Sequence, residues 1–360
     1  MEVVRCSSPE EFLVETRSYR GLDPIRTNVL GSFATSVVND ARIYDAYWWW
    51  LVNDGEGVVA GASMRTAPFG LQVGPMPVEG ARKLASAVAL EDDALPWLAG
   101  SQALVSAFLE SYVKSGSPRS SRRPVPGRKS FIYELEELVL PNVEGQSRVA
   151  TMDDFELVDQ WSSDFHFFVD GVAREADERD RASLITIVDE GAMSLWCVRN
   201  VVVAMAGRAT PVATPSGLVT RIGPVYTPAE NRGRGYGSAV TASLCQDLLD
   251  HGSRVMLYAD ADNPTSNGVY QRVGFRLLAD VVQYDLIENY GQPTTNRGVA
   301  PNGLRRHRRA AVGIFERSGD EQRVRVADVL RRSRQQVVPD RETGAAQLYE
   351  SLGTREEKDV

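Results

Sequence analysis

The chain has 360 residues, 43% hydrophobic and 24% charged, ordinary globular usage that excludes a disordered chain, a coiled-coil rod or a collagen-like sequence. This is about two domains' worth at roughly 150 residues each. Net charge is −8 but unevenly placed: residues 291–360 hold 14 basic against 10 acidic side chains, leaving 26 against 38 in the first 290. The acidic body argues against non-specific nucleic-acid binding there and suits a cationic or amine ligand.

The longest apolar runs, Ala46 to Val52 and Val201 to Gly207, fall far short of the roughly 18 residues of a membrane span, so they read as buried strands and no membrane partner is expected. Cys6, Cys197 and Cys245, like His166, His251 and His307, are scattered. They give neither a disulfide framework nor metal-ligand spacing, and no metal is expected. The N-terminal residues carry no apolar signal segment. A reducing, cytoplasmic location is the expectation.

In chain order, Pro9-Glu10-Glu11-Phe12 opens a helix with acids in its first turn. Tyr47 to Val52 and Val58 to Thr66 are strands joined at Asn53-Asp54-Gly55, a hairpin signal. Within the first of them, Trp48-Trp49-Trp50 reads as a strand buried on both faces. Pro77 to Ala89 and Ser101 to Tyr112 read as helices. Ser115 to Arg128, rich in Ser, Pro, Gly and Arg, reads as a loop before a strand at Phe131 to Leu135. Pro141 to Gly145 is the expected linker between an α/β domain over 1–140 and a second over 147–288.

In the second domain a helix is expected from Asp153 to Trp161, and a hairpin from Ser194 to Arg208 turning at Arg199-Asn200. Leu218 to Val225 is a strand. Gly235 to His251 is an amphipathic helix with Gly252 as its stop. Val255 to Ala259, Ser266 to Val273 and Leu277 to Leu286 follow as strand, helix and strand, an α/β order. The two halves share an element order without a residue-level repeat. The segment 289–360 contains Arg305-Arg306-His307-Arg308-Arg309 and a helical stretch around Arg325 to Gln336. It reads as a solvated, partly disordered tail, with nucleic-acid or acidic-partner contact as the alternative.

Arg232-Gly233-Arg234-Gly235-Tyr236-Gly237 stands between a strand and a helix. A helix start offers unpaired N–H groups and partial positive charge. Glycines let that backbone approach an anion, and the arginines add charge-assisted contacts. A pyrophosphate is the natural guest. The loop lacks the Gly-Lys-Ser/Thr of a Walker A sequence, and its glycines do not follow the dinucleotide fingerprint. One helix and one strand later comes Asn263-Pro264-Thr265-Ser266-Asn267-Gly268-Val269-Tyr270, continuing to Gly274-Phe275.

Arg-x-x-Gly-x-Gly at 232–237, followed by Asn263, Tyr270 and Gly274-Phe275, resembles the acetyl-coenzyme A core of the GNAT superfamily of N-acetyltransferases. Arg221 to Pro228 matches the strand that leads into its pyrophosphate loop. The whole layout resembles a bacterial subgroup with an added N-terminal, degenerate GNAT-like domain. The fold implied is a mixed α/β sheet with flanking helices, twice in tandem. No Arg/Gln-x-x-Gly-x-Gly loop occurs before residue 140, so the first domain is expected to shape the acceptor pocket rather than bind coenzyme A.

The resemblance implies acetyl transfer from acetyl-coenzyme A directly to a primary amine, on a small molecule or a protein. Backbone amides from Gly233 to Gly237, including Gly235 and Tyr236, would hold the pyrophosphate with Arg232 and Arg234. Val225, Tyr226 and Thr227 would pair with the pantetheine arm, one amide polarising the thioester carbonyl. Asn263 would bond the cofactor, or simply cap its helix. Tyr270 would be the general acid, since a phenol of pKa near 10 can protonate a thiolate of pKa about 8.5; core packing is its bland reading. For the base, Asp170 is named, from among Asp164, Glu175, Glu230, Asp260 and Asp262, because apolar Phe165 to Val169 would raise its pKa. His166 reads as a surface or core residue, Cys245 as packed, and Arg221 as a solvated strand residue. A non-catalytic acyl-coenzyme A sensor or assembly module is the alternative function, and an oligomer is compatible with the sequence.

Overall fold

A computed structural model describes residues 1–91, 95–115, 122–170 and 178–288. The described residues pack as one compact unit. The expectations for the tail and for Glu175 lie outside the described residues.

The first half runs β1 (Glu2–Arg5), α1 (Pro9–Glu15), α2 (Arg17–Leu22), α3 (Asn28–Asn39), β2 (Tyr47–Asn53), β3 (Val59–Thr66), β4 (Leu71–Val73), α4 (Val78–Glu91), β5 (Trp97–Gly100), α5 (Gln102–Lys114) and β6 (Arg123–Leu135). The second runs β7 (Gln146–Val149), α6 (Phe155–Asp170), α7 (Glu178–Asp189), β8 (Met193–Val198), β9 (Val201–Arg208), β10 (Val212–Thr214), β11 (Gly217–Tyr226), α8 (Tyr236–Asp250), β12 (Ser253–Asp260), α9 (Pro264–Val273) and β13 (Phe275–Ile287).

All these strands form one sheet, ordered β1-β2-β3-β4-β5-β13-β6-β12-β11-β9-β8-β7, with β10 on β11. Read inward from either edge, the pattern is the same. Three antiparallel pairings are followed by one parallel pair, β4 with β5 or β11 with β12. Each half then hands its last strand across the centre. β13 pairs with β5, β6 pairs with β12, and β6 and β13 pair with each other.

The local reasons are legible. Ser8 caps α1, its hydroxyl accepting from the Glu11 amide at 3.2 Å, with Pro9 at the position where a missing N–H costs nothing. The β8–β9 turn is Arg199-Asn200, both left-handed, which suits a two-residue hairpin. β2 is buried on both faces because successive side chains alternate. Trp49 meets Phe12 of α1, ring centroids 5.1 Å apart, and Trp50 joins the opposite core with Leu84, Val88 and Phe108. In the second half, α8 buries Val240, Leu244, Cys245 and Leu248 against Val255 and Leu257 of β12. Each buried Val or Leu contributes about 1.5–3 kcal/mol. The other sheet face is covered by α6 through Phe155, Val158 and Trp161.

One expectation is corrected. The loop read as ending at Arg128 ends earlier, because β6 begins at Arg123. Pro124 and Pro126 sit at alternate positions opposite Leu286 and Tyr284 of β13. Their missing N–H groups therefore share one edge of β6. β12 reaches only Ser130 to Glu134, so that edge has no ladder to lose.

Candidate active site

The site begins where β11 and β12 part. Their parallel pairing ends at Ile222 opposite Leu257, while β11 runs on to Tyr226 and β12 to Asp260. The register of β11 with β9 shifts between Ile222 and Val225, a bulge that re-aims the strand. The result is a wedge in which the two strand ends, Val225–Tyr226 and Tyr258–Asp260, no longer pair with each other.

At the head of the wedge lies the Gly/Arg loop. Gly233 and Gly235 have φ of 77° and 81°, a region that costs other residues about 1–2 kcal/mol. A Cβ on Gly233 would meet nothing within 4 Å, whereas one on Gly235 would lie 3.0 Å from Val143 Cγ2. Gly235 is also the N-cap of α8, and no side chain caps that helix. The first-turn amides at Tyr236, Gly237 and Ser238 thus lack a side-chain partner and offer a site for an oxyanion. Tyr236 is only 8% exposed and its ring belongs to the core, so it can contribute only its amide. Arg232 and Arg234 are exposed. Arg232 Nε donates to the Thr227 carbonyl at 2.9 Å. That carbonyl is therefore engaged within the loop rather than left for a ligand, and the bond fixes the turn out of β11.

Asn263 caps α9, its Oδ1 accepting from the Ser266 amide at 3.1 Å. Asn267, which the sequence reading gave no role of its own, is buried, and its Nδ2 donates to the Asp260 carbonyl at 3.0 Å, tying α9 to the end of β12. The signal for it was only its spacing within Asn263-Pro264-Thr265-Ser266-Asn267. Gly274 is left-handed at φ 107°, and a Cβ there would overlap the Glu137 carbonyl. It stops α9, and Phe275 after it is a core residue.

Tyr270 lies half-buried on α9, 6.4 Å from the Tyr133 ring and 6.0 Å from Phe275. Burial pushes its phenol up to about 12. Asp170 is the last residue of α6, and its side chain lies outside what the structure describes. Asp164, one turn and a half earlier on the same helix, is placed clearly. The Tyr226 hydroxyl donates to its Oδ2 at 3.4 Å, and Tyr226 packs on Trp161 at 5.9 Å. Burial raises the Asp164 pKa, opposed by the Tyr226 hydrogen bond and assisted by the Glu230 charge. Burial also pushes Tyr226 up to about 12. Tyr226 and Asp164 are thus brought together across 62 residues, from two different motif neighbourhoods. Of the other carboxylates, Glu230 and Asp262 are exposed, and Asp260 accepts from the Asp262 amide at 2.9 Å.

His166 is exposed. The three cysteines are free and buried, and burial pushes Cys245 up to about 12, an inert thiol. Arg221 differs from its expectation. It is only half-exposed: its Nε is sealed from solvent with no hydrogen-bond partner, and the residue lines a cleft of about 890 Å³ between the two halves. It sits on the stretch of β11 that the folded first half covers with α3 and the Asp40–Tyr44 loop. Among the described residues no group of three or more His, Cys, Asp or Glu could hold a metal, and no helix is long and apolar enough to cross a membrane.

Residues 209–284 match the family model described as FR47-like protein. A mycothiol acetyltransferase of Paenarthrobacter aurescens (strain TC1) is 39% identical over 92 residues, 24% of this chain and 26% of that protein. The match therefore spans about a quarter of that relative's length. Among solved structures, a Drosophila protein superposes with TM-score 0.55 at 13% identity, over 80% of this chain and 99% of its own. A tandem GNAT protein from the clavulanic acid biosynthesis pathway superposes with TM-score 0.50 at 12% identity, over 79% and 98%. At such identities these likenesses speak for the fold, a mixed sheet with flanking helices laid out twice.

Proposed function

We propose that this chain, which carries the GNAT fold in tandem and the two motifs of the GNAT acetyltransferases, transfers an acetyl group from acetyl-coenzyme A directly to a primary amine. The observation that carries the reading is the pairing of an uncapped, glycine-nested helix start at Gly233 to Gly237 with a wedge opening beside it between β11 and β12.

The residues fit that donor. Backbone amides at the start of α8 would bind the pyrophosphate, with Arg232 and Arg234 adding positive charge. Val225 and Tyr226, past the bulge, would line the pantetheine arm. Bound acetyl-coenzyme A supplies an activated thioester. Asp164 would accept the proton of the attacking ammonium, partial burial raising its carboxyl toward that task. This replaces Asp170 as the favoured base.

Tyr270 stays protonated across the neutral range. Full donation from a phenol at about 12 to a thiolate of ordinary pKa about 8.5 is uphill. Its work is then to hold a hydrogen bond on the sulfur as negative charge develops there, with solvent supplying the net proton.

The division into domains at 1–140 and 147–288 belongs to the same proposal, with the first shaping the acceptor side. So does a cytoplasmic location, which suits three unpaired thiols. The acceptor is a small-molecule or protein amine.

The test is a thermal-shift titration with acetyl-coenzyme A on wild type and on the Arg232→Glu/Gly235→Glu double variant. Saturable stabilisation of about 2.7 kcal/mol at 100 times Kd, lost in the variant, supports the site. A flat response of folded wild type removes it. Tyr270→Phe, which removes that donor to developing charge, is then expected to lower kcat about 100-fold with acetyl-coenzyme A affinity unchanged. Cofactor binding without thiol release for any amine tried would favour the sensor reading instead.

A further inference from the structure

Arg221 is a half-buried charge of the second half, its Nε sealed from solvent without a hydrogen-bond partner, that the mechanism does not use. It stands on β11 opposite Met256 of β12, and its carbonyl accepts from the Ala209 amide at 2.8 Å. Its guanidinium lines the cleft bounded by α3, the Asp40–Tyr44 loop, α7 and Arg208 to Thr210. Burial lowers its pKa, and the groups that act on it are the phenols of Tyr258 and Tyr44. Both phenols are themselves pushed up to about 12 by burial, so neither supplies a negative charge. Among the described residues no carboxylate pairs with Arg221.

Two acids line the cleft, Asp40 and Glu190, and neither pairs with Arg221. Asp40 is held by Arg42 at 2.9 Å, and that pair is exposed. Arg208, also on the cleft wall, donates to the Glu190 carbonyl at 3.2 Å rather than to a carboxylate. Desolvating a charge without a partner is costly, and such a group is retained where something else pairs with it. A planar guanidinium fork is also the side chain best matched to carboxylate and phosphate oxygens. On β11 the cleft extends to Gly223, on the same strand as Tyr226. Arg221 and Gly223 share a face of β11, and Gly223 lines the cleft at the point where the strand leaves its register with β9.

We propose that this cleft binds the acceptor, and that the acceptor carries an oxyanion, carboxylate or phosphate, which pairs with Arg221. The amine part of this statement rests on the acetyl-transfer reading; the anion part does not. The acidic surface of the body thus does not decide the acceptor, because the cleft presents a guanidinium that no carboxylate pairs.

The experiment compares wild type, Arg221→Met and Arg221→Lys by thermal shift at fixed ionic strength, with and without acetyl-coenzyme A. The probes are 4-aminobutyrate, 2-aminoethyl phosphate and the uncharged 4-aminobutanamide. One or both anionic probes should stabilise wild type more than the amide does. Arg221→Met should weaken their binding about 30-fold or more, Arg221→Lys should restore part of it, and the amide should be unaffected. Which anionic probe acts assigns carboxylate or phosphate. Arg221→Met should also leave the unliganded protein at least as stable as wild type, since it removes an unpaired charge. Equal stabilisation of wild type and Arg221→Met by every probe, or none by either anion, overturns the proposal. If acetyl-coenzyme A gives no shift while the anions act on wild type alone, the transfer reading falls and the anion site stands. If acetyl-coenzyme A acts and the anions do not discriminate, the reverse holds.

Discussion

The two halves of the sheet are topological equals and chemical opposites. Both have a parallel pair followed by a loop and a helix: β4, then Gly74 to Pro77, then α4; and β11, then Thr227 to Gly235, then α8. In the second half that loop is long, holds left-handed glycines and ends in an uncapped helix start. In the first half the same place is filled by the protein. The Tyr19 hydroxyl donates to the Pro75 carbonyl at 2.8 Å. A Cβ on Gly74 would lie 2.6 Å from that hydroxyl and 2.7 Å from both the Ala62 carbonyl and Leu30 Cδ1. Pro77 also brings no N–H to the start of α4. The same architecture thus leaves a helix start open in one half and plugs it in the other, and the difference lies in loop length and glycine placement.

The comparison can be broken most forcefully through the shared sheet. Trp50→Ala, in the first half, is expected to cost about 3–5 kcal/mol. Because β6 and β13 are exchanged across the centre, unfolding should remain one transition. Urea curves read by fluorescence and by loss of acetyl-coenzyme A binding should coincide; two separate transitions would show that the halves fold independently.

Next comes the pair of loop glycines. Gly74→Glu should cost about 3 kcal/mol or more, from overpacking and a buried carboxylate, with acetyl-coenzyme A affinity unchanged in whatever folds. Gly235→Glu should cost about 1–2 kcal/mol through backbone strain and abolish the ligand-induced thermal shift. If Gly74→Glu instead folds normally and weakens cofactor binding, the first half is no plug.

Asp164→Asn should lower kcat by about 100-fold and remove the acid limb of its pH profile. Since burial raises the Asp164 pKa, that limb in wild type should sit above the ordinary aspartate value near 3.9. The stability sign follows from the same shift. The protonated form is favoured in the folded state, so stability from this group is fully present below the unfolded pKa. It is lost as pH rises through the folded one, and the asparagine variant should lack that loss.

The smallest effect concerns Asp154, which accepts from both terminal nitrogens of Arg148 at 2.6 and 2.7 Å and closes a capping box with Thr151. The Arg148 hydrogen bonds hold its carboxyl down at about 2. Its contribution is therefore present above the ordinary carboxylate pKa and lost as pH falls toward 2. Asp154→Asn should cost about 1 kcal/mol at neutral pH and clearly less at pH 2, measured by urea unfolding at both.

Local chemistry in the sequence was enough to determine much of this protein. Glycines at 233, 235 and 237, the Asn263-Pro264 helix start and the Arg199-Asn200 turn act within a few residues of chain, so their meaning does not depend on what lies across the fold. The same holds for the alternation that buries Trp49 and Trp50 on opposite faces. The tertiary structure decided whatever joins distant residues. It seated Arg123 to Arg128 as a strand, because β13 supplies a ladder that leaves the prolines on a free edge. It brought Asp164 to Tyr226, and it covered Arg221 with α3 so that a residue reading as solvated became an unpaired charge in a cleft. Burial and charge pairing are properties of the neighbours that folding collects, and a strand residue carries no mark of which neighbours those will be.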